Sequence, residues 1–159
     1  MKRNVYMDFS YLLLLAATFG AVIVLGAFVA PVVFNTQNLL YGVELSNYNE
    51  GVIMAEIFRR FSYWVTILAF FIAIYETVMY KNGQRDAVVF GASATAIFSA
   101  LMFSGIYTPK IVSMQRLGEE ATLSDTFISL HQASELDFKI LAIAILILFI
   151  RRLMLLRIK

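Results

Sequence analysis

An all-α, multi-pass membrane protein is what this sequence predicts: an antiparallel four-helix transmembrane bundle forming a single domain over residues 1–159. Three observations lead there. From Phe9 to Val43 the chain runs 35 residues without a formal charge, whereas a bilayer core needs only about 20 apolar residues per helix. Further strongly apolar stretches follow before Lys159. Hydrophobic residues make up 60% of the chain and charged ones 15%, with mean hydropathy +0.77, against about 25% charged in a soluble domain. The net charge of +2 offers no basic field for nucleic acid. The absence of cysteine excludes disulfides, thiolate metal sites and thiol catalysis.

The first helix is expected over about residues 9–34. Lys2 and Arg3 resemble the basic end of a signal sequence, but the apolar run behind them exceeds the roughly 7–15 residues of a signal core. The best cleavage point, after Ala30, is followed directly by Pro31, so the segment reads as a retained helix. Pro31 removes a backbone donor and favours a kink or a stop. Asn35 to Asn38 mark the exit from hydrocarbon, and Glu44 to Gly51 form a polar connection. The second helix is expected over about 52–80, crossing the core from Phe61 to Tyr80. A short turn from Lys81 to Asp86 then makes the third helix, about 87–107, an antiparallel neighbour that stops at Thr108-Pro109. The connection from Lys110 to Ser124 has room for a helical piece. Ser124 or Asp125 places an oxygen acceptor ahead of Phe127 to cap the fourth helix, about 125–157. Only Ile140 to Ile150 of that helix is strictly uncharged, so its first turns, with His131, Glu135 and Asp137, belong at the interface.

Orientation follows from the distribution of Lys and Arg. Lys2, Arg3, Lys81, Arg85, Arg151, Arg152, Arg157 and Lys159 collect on one side, eight in all. Arg59, Arg60, Lys110, Arg116 and Lys139, five, lie on the other. Both termini are therefore expected in the cytoplasm, with the protein in the cell inner membrane.

Several residues are candidates for more than span formation. Small residues recur at every fourth position in Ala92, Ala96 and Ala100 and recur in the first helix around Gly20 and Gly26. Such stripes let backbones approach closely in lipid, so the first and third helices are expected to pack through them. Glu76 is the most deeply embedded acid, and ionisable groups at such depth are functional candidates by default. Its bland alternative is an interfacial acid within reach of Tyr80 and Lys81. His131 is the lone histidine, with Glu135 at i+4; the pair suits proton relay, or an interfacial hydrogen bond to a loop. The same pair offers two ligands to a metal site, short of the four of a closed zinc site; with Met54, Met102 and Met114 on the same side, thioether sulfur suits Cu(I), and no Met-x-x-Met pattern supports it. Arg59 and Arg60 stand beside Glu56, either for headgroups or in an i+4 pair. Pro31, Arg59, Arg60, Tyr107 and His131 fall at one outer level, where a polar vestibule is expected with the His131 ring largely buried in the bundle. No phosphate loop, dinucleotide fingerprint or spaced catalytic triad is present. The sequence requires no cofactor.

Three segments carry a resemblance: Gly26 to Phe34 with Pro31 near its end, Ala55-Glu56-Ile57-Phe58-Arg59-Arg60-Phe61, and Phe127-Ile128-Ser129-Leu130-His131-Gln132-Ala133-Ser134. They resemble the transmembrane-protein-205-like family, catalogued as a domain of unknown function, and more distantly the membrane domain of CopD-type copper-resistance proteins. The chain departs from that pattern at Gln132, where a small residue is expected, and at Glu135 and Asp137, where apolar ones are. The resemblance implies a four-helix membrane protein of this length and a role in transport or trafficking, and picks out Gly26, Pro31, Phe34, Phe127, Leu130, His131 and Ser134.

The leading expectation is a non-enzymatic role in membrane transport or homeostasis, in contact with the lipid bilayer and as a homo-oligomer, since one protomer leaves little room for a polar path. An accessory or assembly subunit of a larger membrane complex is the second reading. A haem- or metal-associated membrane redox protein is the third.

Overall fold

The computed structural model describes residues 5–39, 42 and 45–157. Lys2, Arg3, Val43, Glu44 and Lys159, which entered the charge reading, lie outside the described residues. The described chain is all helical, without strands. Four long helices dominate it: α1, Val5–Val33; α2, Asn47–Lys81; α3, Ala87–Gln115; and α4, Asp125–Arg157. A 3-10 turn, Thr36–Asn38, follows α1, and a short helical turn, Glu119–Thr122, precedes α4.

Helix starts follow side-chain caps that satisfy otherwise unpaired N–H groups. Ser46 Oγ accepts from Asn49 N (3.3 Å), so α2 begins several residues before the expected Val52. Asp86 Oδ1 accepts from Val89 N (3.0 Å) and Ser124 Oγ from Phe127 N (3.2 Å). The stop of α2 is equally local. Gly83 takes φ +85°, where a side chain would clash, and its N–H reaches Tyr80 O while Gln84 N–H reaches Met79 O. This is the paired 5→2 and 6→1 closure that ends helices at glycine.

Neither proline ends its helix. Each is preceded by one π-turn, Leu25–Val29 before Pro31 and Phe103–Tyr107 before Pro109. There Ala30 N–H donates to Leu25 O and Thr108 N–H to Phe103 O, five residues back. The wider turn moves the carbonyl that a proline ring would strike, and the helix runs on. Hence α3 continues past Thr108-Pro109 to Gln115, rather than stopping there.

Among the described residues three helices, not four, are long and apolar enough to cross a membrane: α1, α2 and α3. This is the make-up of a multi-pass membrane protein. The fourth falls short because its uncharged stretch, Ile140 to Ile150, spans only about 16 Å at 1.5 Å per residue, against about 30 Å of hydrocarbon.

Helix α4 packs most extensively on α3 and also on α1, while α2 lies against α3 and, less closely, α1. The start of α1 meets the end of α2, and the start of α3 meets the end of α4, so these neighbours run antiparallel. Leu15, Val65, Leu68, Ile72, Leu141, Ile145 and Leu148 form the centre of the core. Ala92, Ala96 and Ala100 are buried there too. The expected seam between the first and third helices is replaced, because α3 turns its small residues into a core shared with α2 and α4. Gly20 and Gly26 are exposed, with open space beside each. Phe9, Leu13, Phe28, Ile67, Phe70, Ile74, Phe90 and Phe98 form an exposed apolar exterior, consistent with contact with lipid.

Ala96 is fully buried, so Ala96→Leu forces bulk into a filled seam and is expected to cost about 1–3 kcal/mol. Gly20→Leu meets open space and should leave stability within about 0.5 kcal/mol. Thermal unfolding of both variants in detergent checks the contrast.

Candidate functional site

One end of the molecule is pinned by a buried polar network, and the other is open. The inward face of α4 is a stripe of buried residues that runs from Ser134 and Asp137, toward the open end, through Leu141, Ile145 and Leu148 to Arg152 at the pinned end. Arg152 continues the helical spacing of the apolar core positions. Its guanidinium, 2% exposed, pairs with Glu76 of α2 through Nη2 and, at 3.0 Å, through Nε. Nη1 donates to Gln84 Oε1 (2.8 Å), and the guanidinium lies 5.4 Å from the centre of the Tyr75 ring. Tyr11 OH donates to Glu76 Oε1 (2.7 Å) and Tyr75 OH to Asp8 Oδ1 (2.6 Å). The two tyrosine rings stack at 3.8 Å. Glu76, singled out as the embedded acid, is thus neutralised by a cation and bonded by a phenol, and the cluster joins α1, α2, α4 and the α2–α3 turn.

Arg152 was missed as a site residue because charge counting placed it with the interfacial bases. Its position four residues beyond Leu148 and seven beyond Ile145, on the buried face, was the available signal. Beside it, Arg151 Nη2 pairs with Asp86 Oδ2 at 2.7 Å. That guanidinium, with the Val89 N–H, holds the Asp86 carboxyl down at about 2.

At the open end lies a crevice of about 760 Å³. Gly26, Ala27 and Ala30 of α1, Met54, Ala55 and Phe58 of α2, and Phe103 and Thr108 of α3 form its walls, so both π-turns border it. Its floor is aromatic: Phe138 lies 5.2 Å from Phe103 and 5.3 Å, edge-on, from Phe58, between ring centres. Along α4 the rim carries His131, Glu135 and Lys139, each one turn from the next and each exposed. Two contacts hold the surrounding ends in place. Tyr48 OH donates to Gln115 O (2.7 Å), tying α2 to α3. Thr36 bonds the buried Glu50 carboxylate through its N–H (3.1 Å) and its hydroxyl, tying the end of α1 to α2.

The residues expected in an outer vestibule therefore separate. His131 lines the crevice, but its ring is exposed and stacks at 6.0 Å on Phe127 rather than being buried among the helices. Arg59 and Arg60 both bind Glu56, at 2.6 Å and 2.9 Å, and Arg59 also reaches Tyr63 OH. Tyr107 sits within the second π-turn, half-buried, and is not among the lining residues. Pro31 is exposed, and its carbonyl accepts from Asn35 Nδ2 (2.7 Å). Met54 lines the crevice with His131, whereas Met102 and Met114 do not. No three His, Cys, Asp or Glu side chains gather as a metal site among the described residues. Chemically, the crevice offers a large apolar volume with an amphoteric rim, which suits binding of an amphiphile.

A model of the family described as Domain of unknown function (DUF4149) matches residues 13–120. No curated protein and no solved structure matches the chain. The matched segment runs through α1, α2 and α3 and ends before α4. Over a match of that extent the chain belongs to this family.

Arg152→Ala leaves Glu76 buried without its cation and is expected to cost about 3–5 kcal/mol. The double variant Glu76→Met/Arg152→Met should recover much of that loss, with a coupling of about 1–3 kcal/mol, read by thermal unfolding in detergent. The Asp86 pair adds a pH signature. A depressed folded-state value contributes stability fully above the unfolded value of about 3.9, and that contribution is lost as pH falls toward about 2. The difference in melting temperature between wild type and Asp86→Asn should accordingly shrink across that interval.

Proposed function

We propose that this DUF4149 protein is a non-enzymatic, multi-pass protein of the inner membrane that holds the apolar chain of an amphiphile in its outer crevice, in a membrane transport or homeostasis role. The observation that carries this reading is the crevice itself: about 760 Å³, within the roughly 300–1,000 Å³ of ligand sites, mostly apolar within, with Thr108, Gln115 and Ser134 as buried polar lining residues and charged groups at its rim. Two π-turns border it, and such turns concentrate at functional sites. His131 and Lys139 can meet an anionic headgroup, and Glu135 a cationic one.

The same reading makes α4 the fourth helix of an antiparallel bundle. Hydropathy alone leaves it out, but its inward charge at Arg152 is met by Glu76, and its inward Asp137 is bonded by the Ser99 hydroxyl. Charges facing a bundle interior are tolerated where charges facing lipid are not. The eight-to-five bias of Lys and Arg supports both termini in the cytoplasm, which sets the crevice on the outer side. The resemblance to the transmembrane-protein-205-like family agrees with a transport or trafficking role.

The test is purification of the full chain in mild detergent, followed by extraction and mass spectrometry. A co-purifying amphiphile is expected in wild type. Ala27→Trp and Ala142→Trp, which add bulk to the crevice lining from α1 and α4, should lower its retention by ~10-fold, equivalent to about 1.4 kcal/mol, at unchanged melting temperature. Equal retention in these variants would overturn the proposal. A co-purifying chain in place of the amphiphile would instead favour the accessory-subunit reading, and a coloured protein the redox one.

A further inference from the structure

Asp137 is the one buried side-chain polar group among the described residues with an oxygen that no protein group bonds. It is 8% exposed and lies on the inward face of α4, against α3. Its Oδ1 accepts from Ser99 Oγ at 2.7 Å, and the same hydroxyl lies 3.4 Å from the Asp137 carbonyl. No donor reaches Oδ2. One neutral hydroxyl is a poor shell for a full negative charge.

The surrounding elements supply no counter-charge. From Ala87 to Pro109, α3 contains no Asp, Glu, Lys, Arg or His, and its one titratable residue there is Tyr107. Lys110 and Arg116 lie beyond and are exposed. On α1, Asp8 and Tyr11 belong to the network at the opposite end. On α2, Arg59 and Arg60 both donate to the Glu56 carboxylate. The short turn before α4 carries Glu119 and Glu120, both exposed acids. On α4 itself, His131, Glu135 and Lys139 are exposed along the crevice stripe. Among the described residues Asp137 enters no ion pair, in contrast to Glu76 and Asp86.

We propose that Asp137 is a proton-binding site in the α3–α4 seam, its carboxyl neutral at physiological pH with the proton on Oδ2 and Ser99 donating to Oδ1. An ionised, unpaired carboxylate in so apolar a seam takes up a proton in preference to remaining charged, and an unpaired hydroxyl is the smaller burden. Ser134, one turn away on the same buried face, lines the crevice and places the site beside the open volume. The proposal stands on the seam geometry and does not depend on what occupies the crevice.

Infrared difference spectroscopy of the full chain at neutral pH tests it. Subtracting Asp137→Asn from wild type should reveal loss of a protonated-carboxyl C=O band that shifts in heavy water, whereas the exposed-acid control Glu135→Gln should leave that band in place. Ser99→Ala removes the donor to Oδ1 and should move the band to higher frequency without abolishing it, a readout that remains if Asp137→Asn fails to fold. Loss of carboxylate bands instead of the C=O band in Asp137→Asn, or a C=O region unchanged in Ser99→Ala, would overturn the proposal.

Discussion

The Arg152–Glu76 ion pair is the interaction on which the rest of this structure depends. In a molecule with an apolar exterior, an arginine 2% exposed has no water to solvate it, and its burial is tolerable only because an anion and further acceptors are already in place. Those partners come from parts of the chain far apart in sequence: Glu76 from α2 and Gln84 from the turn after it. Tyr11 from α1 bonds the same carboxylate. Satisfying one guanidinium therefore specifies how three helices and a turn meet. Such pairs are weak as net stabilisers but effective at specifying one arrangement, since any other rotation of α4 leaves a bare charge facing lipid.

The opposite end follows a different rule. There the helices are bordered by π-turns ahead of Pro31 and Pro109, and contact between α1 and α2 is sparse apart from the Thr36–Glu50 tie. A wide turn followed by proline re-aims a helix without ending it, and two such helices facing one another leave volume that the aromatic floor of Phe58, Phe103 and Phe138 does not fill. Rigidity at one end and open apolar volume at the other is an arrangement suited to holding a ligand while keeping the helix order unchanged.

Asp137 and Arg152 stand near the two ends of the same buried face of α4 with opposite solutions to burial. Arg152 meets a carboxylate, and Asp137 meets a single serine hydroxyl. Between them the face is apolar, through Leu141, Ile145 and Leu148. Hydropathy passes over α4 although its core positions are as apolar as those of its neighbours, because Asp137 and Arg152 add inward polar groups to the exposed His131, Glu135 and Lys139.

What the sequence determined by itself is local. The uncharged run of α1, the apolar lengths of α2 and α3, the caps at Asp86 and Ser124 and the turn at Lys81 to Asp86 depend on neighbouring residues, and helix existence follows from them. That Glu76 and His131 lie toward opposite ends of the molecule also followed from position along a helix. Rotation about each helix axis is another matter. Whether Ala96 faces α1 or α4, whether Arg152 snorkels to the interface or turns inward, and whether His131 is enclosed or on a rim depend on which faces meet, and every face of an apolar helix is similar to its own average. Only the tertiary structure decided these, because charge pairing across some 65 to 76 positions of sequence and the space left between helices are properties of several segments at once. The prolines show the same division: Pro31 and Pro109 announce a disturbance of the helix, but only packing around the π-turns decides that both helices continue.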